Sequence, residues 1–194
     1  MDVKKEILKR GHESSKLLAA AVEENLDKIL TAAGKIAFSI RKGNQVFFFG
    51  NGGSAAEAQH FAAEFINRMV MERRPLPAVA LTTDSSVLTS IGNDRGFDEI
   101  FTYQLNALAK KGDIAFGIST SGDSKNVVLA LELAEKLGLY RIGMAGASGS
   151  RIGKATDLCF WINSKSTPRV QEAHLLIGHI LCEMVDLILF GEKS

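Results

Sequence analysis

Apolar side chains recur at helical spacing over the first forty residues. Between about residues 3 and 42 the chain has no proline, and apolar positions fall three or four residues apart. The members of this pattern are Ile7, Leu8, Leu17, Leu18, Val22, Leu26, Ile29 and Leu30. The pattern predicts amphipathic N-terminal helices, with Gly11 and Gly34 as the positions where one helix would give way to the next.

From Gln45 onward, short apolar runs alternate with longer stretches of helical character. The runs are continuously apolar, which is typical of strands buried on both faces of a parallel sheet. The predicted strands are 45–49, 78–82, 113–118, 140–145 and 158–163, and the predicted helices are 54–70, 98–110, 124–137, 148–155 and 168–190. This alternation predicts an α/β fold, a three-layer αβα sandwich around a five-stranded parallel sheet, with right-handed crossovers.

Composition narrows the class of protein. The chain has 194 residues, of which 46% are hydrophobic and 23% charged, which fits one globular domain over 1–194, with a helical segment over about 1–42 and an α/β core over about 43–194. The formal net charge of +1 favours neither nucleic acid nor an anionic membrane as a partner. Cys159 and Cys182 are far apart, as expected in a reducing compartment. We expect no run able to span a bilayer, and a cytoplasmic protein.

A glycine-rich loop, Gly50-Asn51-Gly52-Gly53-Ser54, follows the first predicted strand and leads into a helix. Glycine lets a ligand approach the backbone, and the first turn of a helix has free amides, so the loop suits a phosphate. It also fits the dinucleotide pattern G-x-G-x-x-G/A, but the first fitting acidic residue, Asp84, follows about 30 residues later instead of about 20. We therefore expect a sugar phosphate and no nucleotide cofactor. A tight turn is the alternative, and Ser54 with Glu57 matches a helix capping box.

A hydroxyl-rich loop, Ser119-Thr120-Ser121-Gly122-Asp123-Ser124, repeats the strand–loop–helix arrangement later in the chain. Hydroxyls and backbone amides can surround a phosphate without a lysine or a metal. In an open parallel sheet, ligands bind at the carboxyl ends of strands near a switch in strand order, so two such loops side by side would form one pocket. The alternative is a serine-rich turn in which Asp123 or Ser124 caps the next helix.

Candidate acid/base residues lie on two predicted helices. His60 and Glu64 are four residues apart on the helix that follows the glycine-rich loop, so they share a face. Gln171 and His179 are eight apart and share a face of the last helix, whereas His174 points elsewhere. A surface ion pair is the alternative for His60 and Glu64, and a structural core histidine is the alternative for His179.

In combination these motifs resemble the sugar isomerase (SIS) domain family over nearly the whole chain, to about Leu189. The motifs that carry the resemblance are Gly50–Ser54 leading into 59–64, Gly92-Asn93-Asp94, Ser119–Ser124, and 169–174 with His179. Taken alone, the glycine-flanked pair Asn93 and Asp94 could equally be a plain turn.

The resemblance implies a role for each motif. Glu64 and His179 would be the acid/base pair, and Glu64 and Gln171 would also contact the substrate. Asn51, Gly52, Gly53, Asn93 and Asp94 would contact the sugar, and Ser54, Ser119, Thr120, Ser121 and Ser124 would hold its phosphate. His60, Glu64, Gln171 and His179 would bind one zinc ion per subunit, and the protein would be a homotetramer with active sites at subunit interfaces.

The implied activity is an aldose–ketose isomerisation. It would convert D-sedoheptulose 7-phosphate into D-glycero-D-manno-heptose 7-phosphate through an enediol, as the first step toward heptose for lipopolysaccharide or another surface polysaccharide. One alternative is a non-catalytic sugar-phosphate-binding adaptor of the DnaA-initiator-associating type, and another is an isomerase for arabinose 5-phosphate. A pure binding protein has no need to keep Glu64 and His179 together, so their presence favours an enzyme.

Overall fold

The computed structural model of the chain describes residues 2–146 and 148–191. The elements are, in chain order, α1 Val3–Arg41, β1 Val46–Gly50, α2 Gly53–Ile66, β2 Ala78–Ala80, α3 Ser85–Asp94, a 3₁₀ turn Phe97–Glu99, α4 Thr102–Leu108, β3 Ile114–Ser119, α5 Lys125–Lys136, β4 Tyr140–Ala145, α6 Arg151–Lys154, β5 Leu158–Trp161 and α7 Thr167–Phe190. Each observed strand overlaps a predicted one, so the strand predictions are confirmed.

The strands form one parallel sheet in the order β2-β1-β3-β4-β5. After β1 the chain adds β2 on one side, then returns to place β3 on the other side of β1 and continues outward. The strand order therefore switches between β1 and β3, whose ends lie side by side, with Gly50 paired to Ile118. A crevice at such a switch point is the usual ligand site of an open α/β sheet.

Helices cover both faces of the sheet, which confirms the predicted three-layer arrangement. Phe48 points into a core shared with α1, α2 and α7, whereas its neighbours Phe47 and Phe49 point into a second core shared with α4, α5 and α6. This alternation explains why the run 46–49 is apolar at every position, since both faces of β1 are buried.

The N-terminal segment is one continuous helix, so the prediction of several helices broken near Gly11 and Gly34 is wrong. A Cβ atom added at either glycine would meet nothing within 4 Å, so both lie on open surface. An internal glycine costs about 0.5–1 kcal/mol relative to alanine, which is too little to end a helix that packs well. Around Gly34 that packing comes from Ala33 and Ile36, both fully buried. Near Gly11 the helix is mostly exposed and is held instead by hydrogen bonds with α7, from Ser14 to Glu172 and from Arg169 to the carbonyl oxygen of Arg10.

The prediction also missed α3, a short helix without a fully buried residue, whose Leu88 and Ile91 are half-buried against the second core. Its start is fixed instead by Asp84, whose carboxylate accepts a 3.0 Å hydrogen bond from the amide of Val87. A capping aspartate stabilises the first turn of a helix, and the apolar pattern that follows it is too short to stand out, with Leu88 and Ile91 three residues apart. Asp84 therefore has a structural role at the start of α3.

By length and composition α7 qualifies as a membrane-spanning helix, contrary to the expectation that no run would. It is nevertheless a core helix, because Val170, Ala173 and Ile177 are buried in the cluster that joins it to α1 and α2. Its apolar character therefore reflects its place inside the sandwich.

Candidate active site

The glycine-rich loop brings the start of α2 close to the end of β3. A Cβ on Gly50 would lie 2.7 Å from the carbonyl oxygen of Ile118, so only glycine fits between the two chain segments. Gly52 has φ of +54° and precedes the first turn of α2. Gly52 and Gly53 are both exposed, whereas Ser54 is buried. The amides of Ser54 and Ala55 donate to the carbonyl oxygens of Asn51 and Gly52, so it is the loop backbone at Gly52 and Gly53 that suits an anion at the crevice.

The hydroxyl-rich loop is folded on itself at the end of β3. The hydroxyl of Ser119 lies 2.9 Å from that of Ser124 and 3.3 Å from that of Ser121, and it accepts a 3.1 Å hydrogen bond from the amide of Gly122. Ser124 precedes α5 but makes no side-chain capping bond, so its hydroxyl remains available to a ligand. Three hydroxyls therefore surround one tight turn, with Thr120 beside them.

A pair of amide side chains joins the two loops. Asn51 donates to Asn126 at 2.8 Å, and Asn126 donates back to Asn51 at 3.0 Å. Asn126 is only 2% exposed, and its oxygen also accepts from the amide of Val127. The prediction that the two loops lie side by side is confirmed. Asn126 was missed, and the available signal was a polar residue just inside an otherwise apolar helix start.

The candidate acid/base residues meet where α2 packs on α7. The Nε2 atoms of His60 and His179 are 2.7 Å apart, and Glu64 Oε1 lies 3.7 Å from His60 Nε2. The side chain of Glu64 is 18% exposed and that of His60 is 41% exposed. A carboxylate and two imidazoles at one partly buried position form a set able to move protons.

Gln171 connects this group to the glycine-rich loop. A Cβ on Gly53 would overlap the side-chain amide of Gln171, so Gln171 lies directly against the start of α2. Gln171 thus touches the loop at one end of α7, and His179 meets His60 two turns further along. The structure therefore brings together the predicted residues of the two helices and the first loop.

The predicted capping box is wrong. The helix begins at Gly53, one residue earlier than predicted, and Gly52 is its N-cap residue without a side-chain bond. Glu57 does not turn back to the helix start, because it is buried at 7% exposure with its Oε2 atom 3.8 Å from Nδ1 of His174. Glu57 was predicted only as a capping residue. His174 was expected to point away from the face that carries Gln171 and His179, and that prediction is also wrong, because His174 meets Glu57 between α2 and α7.

Asn93 and Asp94 end α3 rather than forming a turn. Both are exposed, and the side-chain amide of Asn93 donates a 2.8 Å hydrogen bond to the carboxylate of Asp94. Across residues 2–146 and 148–191, that is the only side-chain hydrogen bond of either residue. Their contact with a sugar stays a prediction.

The donor types around His60 fit zinc, although the atoms are not yet spaced for it. In the part of the chain that the structure describes, no three His, Cys, Asp or Glu side chains form a ready metal site. Imidazole nitrogen and carboxylate oxygen are common zinc ligands, and two nitrogens bound tetrahedrally at about 2.0 Å would be about 3.3 Å apart. The rings of His60 and His179 would have to separate beyond their 2.7 Å contact.

Comparison with known proteins gives the family. Residues 11–146 match the SIS domain family. The chain is 47% identical to a phosphoheptose isomerase of Nitratidesulfovibrio vulgaris, covering 95% of this chain and 88% of the relative. It is 48% identical to a phosphoheptose isomerase of Aquifex aeolicus, covering 90% and 91%.

A solved structure agrees over the same length. The phosphoheptose isomerase GmhA of Neisseria gonorrhoeae superimposes with a TM-score of 0.90 at 36% identity, covering 95% of this chain and 98% of the other. Sequence and fold thus agree from the long first helix to the last. The chain belongs to the phosphoheptose isomerase family of SIS domain proteins, and it is an isomerase.

Proposed function

We propose that the chain converts D-sedoheptulose 7-phosphate into D-glycero-D-manno-heptose 7-phosphate through an enediol. The observation that carries this proposal is the continuity of the site. The helix that begins in the glycine-rich loop carries Glu64, and the helix whose Gln171 contacts that loop carries His179. A phosphate held at the two loops would thus place a sugar chain along a proton-transfer group, and the relatives at 47–48% identity bear the matching name.

The phosphate would bind to the hydroxyls of Ser119, Thr120, Ser121 and Ser124 and to the start of α2 at Ser54. Hydrogen bonds to a charged oxygen are stronger than neutral ones, so a set of hydroxyls and amides can hold a dianion. Asn51, Gly52, Gly53, Asn93 and Asp94 would contact the sugar hydroxyls. Because the phosphate and the sugar hydroxyls are both bound, C1 and C2 are held in a fixed orientation. Proton transfer then becomes a step within one complex.

Glu64 is the proposed base at carbon. Its carboxylate would take a proton from C1 of the ketose, and the electron pair would form the C1–C2 double bond as His179 donates a proton to O2. The resulting enediol would lose the O1 proton to His179 and regain a proton at C2 from Glu64. One proton leaves C1 and one reaches C2, so the reaction consumes no net acid or base.

We further propose that His60, Glu64, Gln171 and His179 hold one zinc ion per subunit. The ion would polarise the carbonyl and stabilise negative charge on the enediol oxygens. Glu64 cannot easily be both a tight ligand and a free base, so the proton-transfer steps above do not depend on the metal. Elemental analysis of protein purified without chelator tests occupancy, and zinc well below one per chain would contradict the proposal.

We propose a homotetramer whose active sites lie at subunit interfaces. The exposed apolar side chains of α1 support this, because exposed apolar surface beyond isolated residues often marks an interaction site. They are Val3, Ile7, Leu8, Leu26, Leu30 and Phe38, each more than half exposed. Light scattering on the purified chain would give four times the 21.0 kDa subunit mass, and a monomer would contradict it.

Incubation with sedoheptulose 7-phosphate tests the activity directly. The proton NMR spectrum should gain the signals of an aldose heptose 7-phosphate, whereas arabinose 5-phosphate should give no ketose product. Unchanged sedoheptulose 7-phosphate together with tight binding of a bacterial replication initiator would favour the adaptor instead. We place the reaction in the cytoplasm, in the supply of heptose for lipopolysaccharide or another surface polysaccharide.

A further inference from the structure

Two buried polar side chains on α2 and α7 take no part in the proposed steps. Glu57 is 7% exposed and His174 is completely buried. Across the described residues, both carboxylate oxygens of Glu57 and both ring nitrogens of His174 have no hydrogen-bond partner. The shortest approach between them is 3.8 Å, from Nδ1 of His174 to Oε2 of Glu57.

Core packing does not explain this pair. A buried polar atom without a partner lowers stability, and apolar residues of similar volume are often as stable or more stable than a buried ion pair. Another contact between α2 and α7 is apolar, since the ring of Phe61 fills the space that a side chain on Gly178 would need. Glu57 and His174 therefore call for a reason beyond filling the interior.

Their position supplies that reason. The contacts between α2 and α7 run in a row, with Gly53 against Gln171 first, Glu57 beside His174 one turn later, and His60 against His179 after that. The pair thus lies between the loop that would bind phosphate and the residues that would move protons. A one-residue slip of either helix would disturb both neighbouring contacts.

We propose that Glu57 and His174 form a buried carboxylate–imidazole pair that fixes the register of α2 against α7. A small rotation of either side chain would bring a ring N–H of His174 into hydrogen-bond distance of Glu57, and such a bond is strong in a low-dielectric interior. Both are positioning residues, because they act through His60, Glu64, Gln171 and His179. The catalytic consequence rests on the proposed isomerase function, whereas the register itself does not.

Turnover distinguishes positioning from simple stabilisation. In Glu57→Ala we expect kcat to fall about tenfold or more with KM changed by less than about threefold, as is common when a supporting partner is lost. Glu57→Gln should restore kcat to within about threefold of the parent, because its amide oxygen accepts the same N–H bond. The double variant Glu57→Leu with His174→Leu should unfold no earlier than Glu57→Ala and yet remain slow.

A matched control removes a buried hydrogen bond elsewhere. Ser39 is buried, and its hydroxyl donates a 2.7 Å hydrogen bond to the carbonyl of Gly112. Gly112 lies just before the start of β3, at the end of the strand opposite the two loops. Ser39→Ala should lower the melting temperature while leaving kcat unchanged. Parental kcat in the double-leucine variant, or a Glu57→Gln variant as slow as Glu57→Ala, would overturn the proposal.

A second readout needs no substrate. The chain has four histidines, so the ring ¹⁵N signals can be assigned one by one. The signals of His60 and His179 should move in Glu57→Ala and keep their parental positions in Glu57→Gln. Unmoved signals in Glu57→Ala would overturn the inference. If the parent fails to isomerise the sugar while these signals still move, the proposed function fails and the register inference stands.

Discussion

The fold contains the same strand–loop–helix unit twice, and the two units carry different functional groups. The units β1–α2 and β3–α5 begin on neighbouring strands of the sheet, with Gly50 paired to Ile118 where the loops start. The first loop is glycine-rich and exposes backbone, whereas the second is rich in hydroxyls that bond to one another. One sheet edge thus offers a ligand both amides and hydroxyls.

The helices that follow differ more than the loops. Apart from Asn126, the buried residues of α5 are apolar, and α5 packs on the far face of the sheet from α7. Helix α2 instead buries Ser54 and Glu57 and places His60 against His179. The second unit thus ends its contribution to the site at the loop, whereas the first continues it along the helix to the proposed proton-transfer residues.

The largest expected effect comes from removing the proposed base on α2. In Glu64→Gln, kcat should fall about 10³-fold, since a positioned acid/base group contributes about 10²–10⁴-fold. Affinity for inorganic phosphate, measured by calorimetry, should stay within about threefold of the parent because the loops are unchanged.

The matched control lies on α5, the helix of the other unit. Glu132→Gln makes the same chemical change on an exposed position of that helix and should leave kcat unaltered. Full turnover in Glu64→Gln, or an equal loss in Glu132→Gln, would show that the two helices do not differ as described.

A smaller effect, with the opposite kinetic signature, is expected in the second loop. Ser124→Ala removes a hydroxyl from the proposed phosphate site, and a hydrogen bond to a charged group contributes about 1.5–3 kcal/mol. KM should therefore rise by about tenfold or more while kcat changes little. Steady-state kinetics measure KM and kcat separately. A fall in kcat at constant KM would show that Ser124 acts in the chemical step and not in binding.

Stability tests whether the units depend on one another. Asn126→Ala should lower the free energy of unfolding by about 1–3 kcal/mol, because it leaves buried groups unpaired. Asn51→Ala should cost less on its own, and the double variant should show a coupling of about 0.5–2 kcal/mol in urea denaturation. Asn106→Ala, an exposed position on α4, is the control. Strict additivity would mean that the amide pair does not join the loops.

The smallest effect concerns the two thiols, one in each core. Burial raises the pKa of Cys159 to about 12, and burial together with the nearby Glu64 and Asp186 carboxylates raises the pKa of Cys182. Both thiols should react with a disulfide reagent at pH 8 far more slowly in the native protein than after unfolding. In Glu64→Gln, Cys182 should react somewhat faster and Cys159 at its parental rate. Rapid labelling of the native parent would contradict the burial of both.

The sequence predicted what depends on strong local patterns. Continuous apolar runs identified the strands, and the two loops were expected beside each other because parallel strands end at one edge of the sheet. His60 and His179 lie together in the structure. Because they are far apart along the chain, the sequence could not show that their two helices would meet. Only the fold brings α2 and α7 into contact.

The failures occurred where tertiary contacts override local signals. Glu57 fits a capping box by spacing, yet it turns inward to His174, which no local rule could indicate. Helix α1 passes through Gly34 because packing on the core offsets a modest local cost, and through Gly11 with the support of hydrogen bonds to α7. Asn126 needed its partner Asn51 to be seen, and that partner lies on the other loop.

Deuterium uptake during turnover tests the central claim most directly. With sedoheptulose 7-phosphate in D₂O, the parent should form an aldose heptose 7-phosphate that carries deuterium at C2, followed by NMR. Glu64→Gln should show neither product nor uptake, even though it still binds phosphate. Product or deuterium uptake in Glu64→Gln at the parental rate would contradict a proton transfer by Glu64 through an enediol.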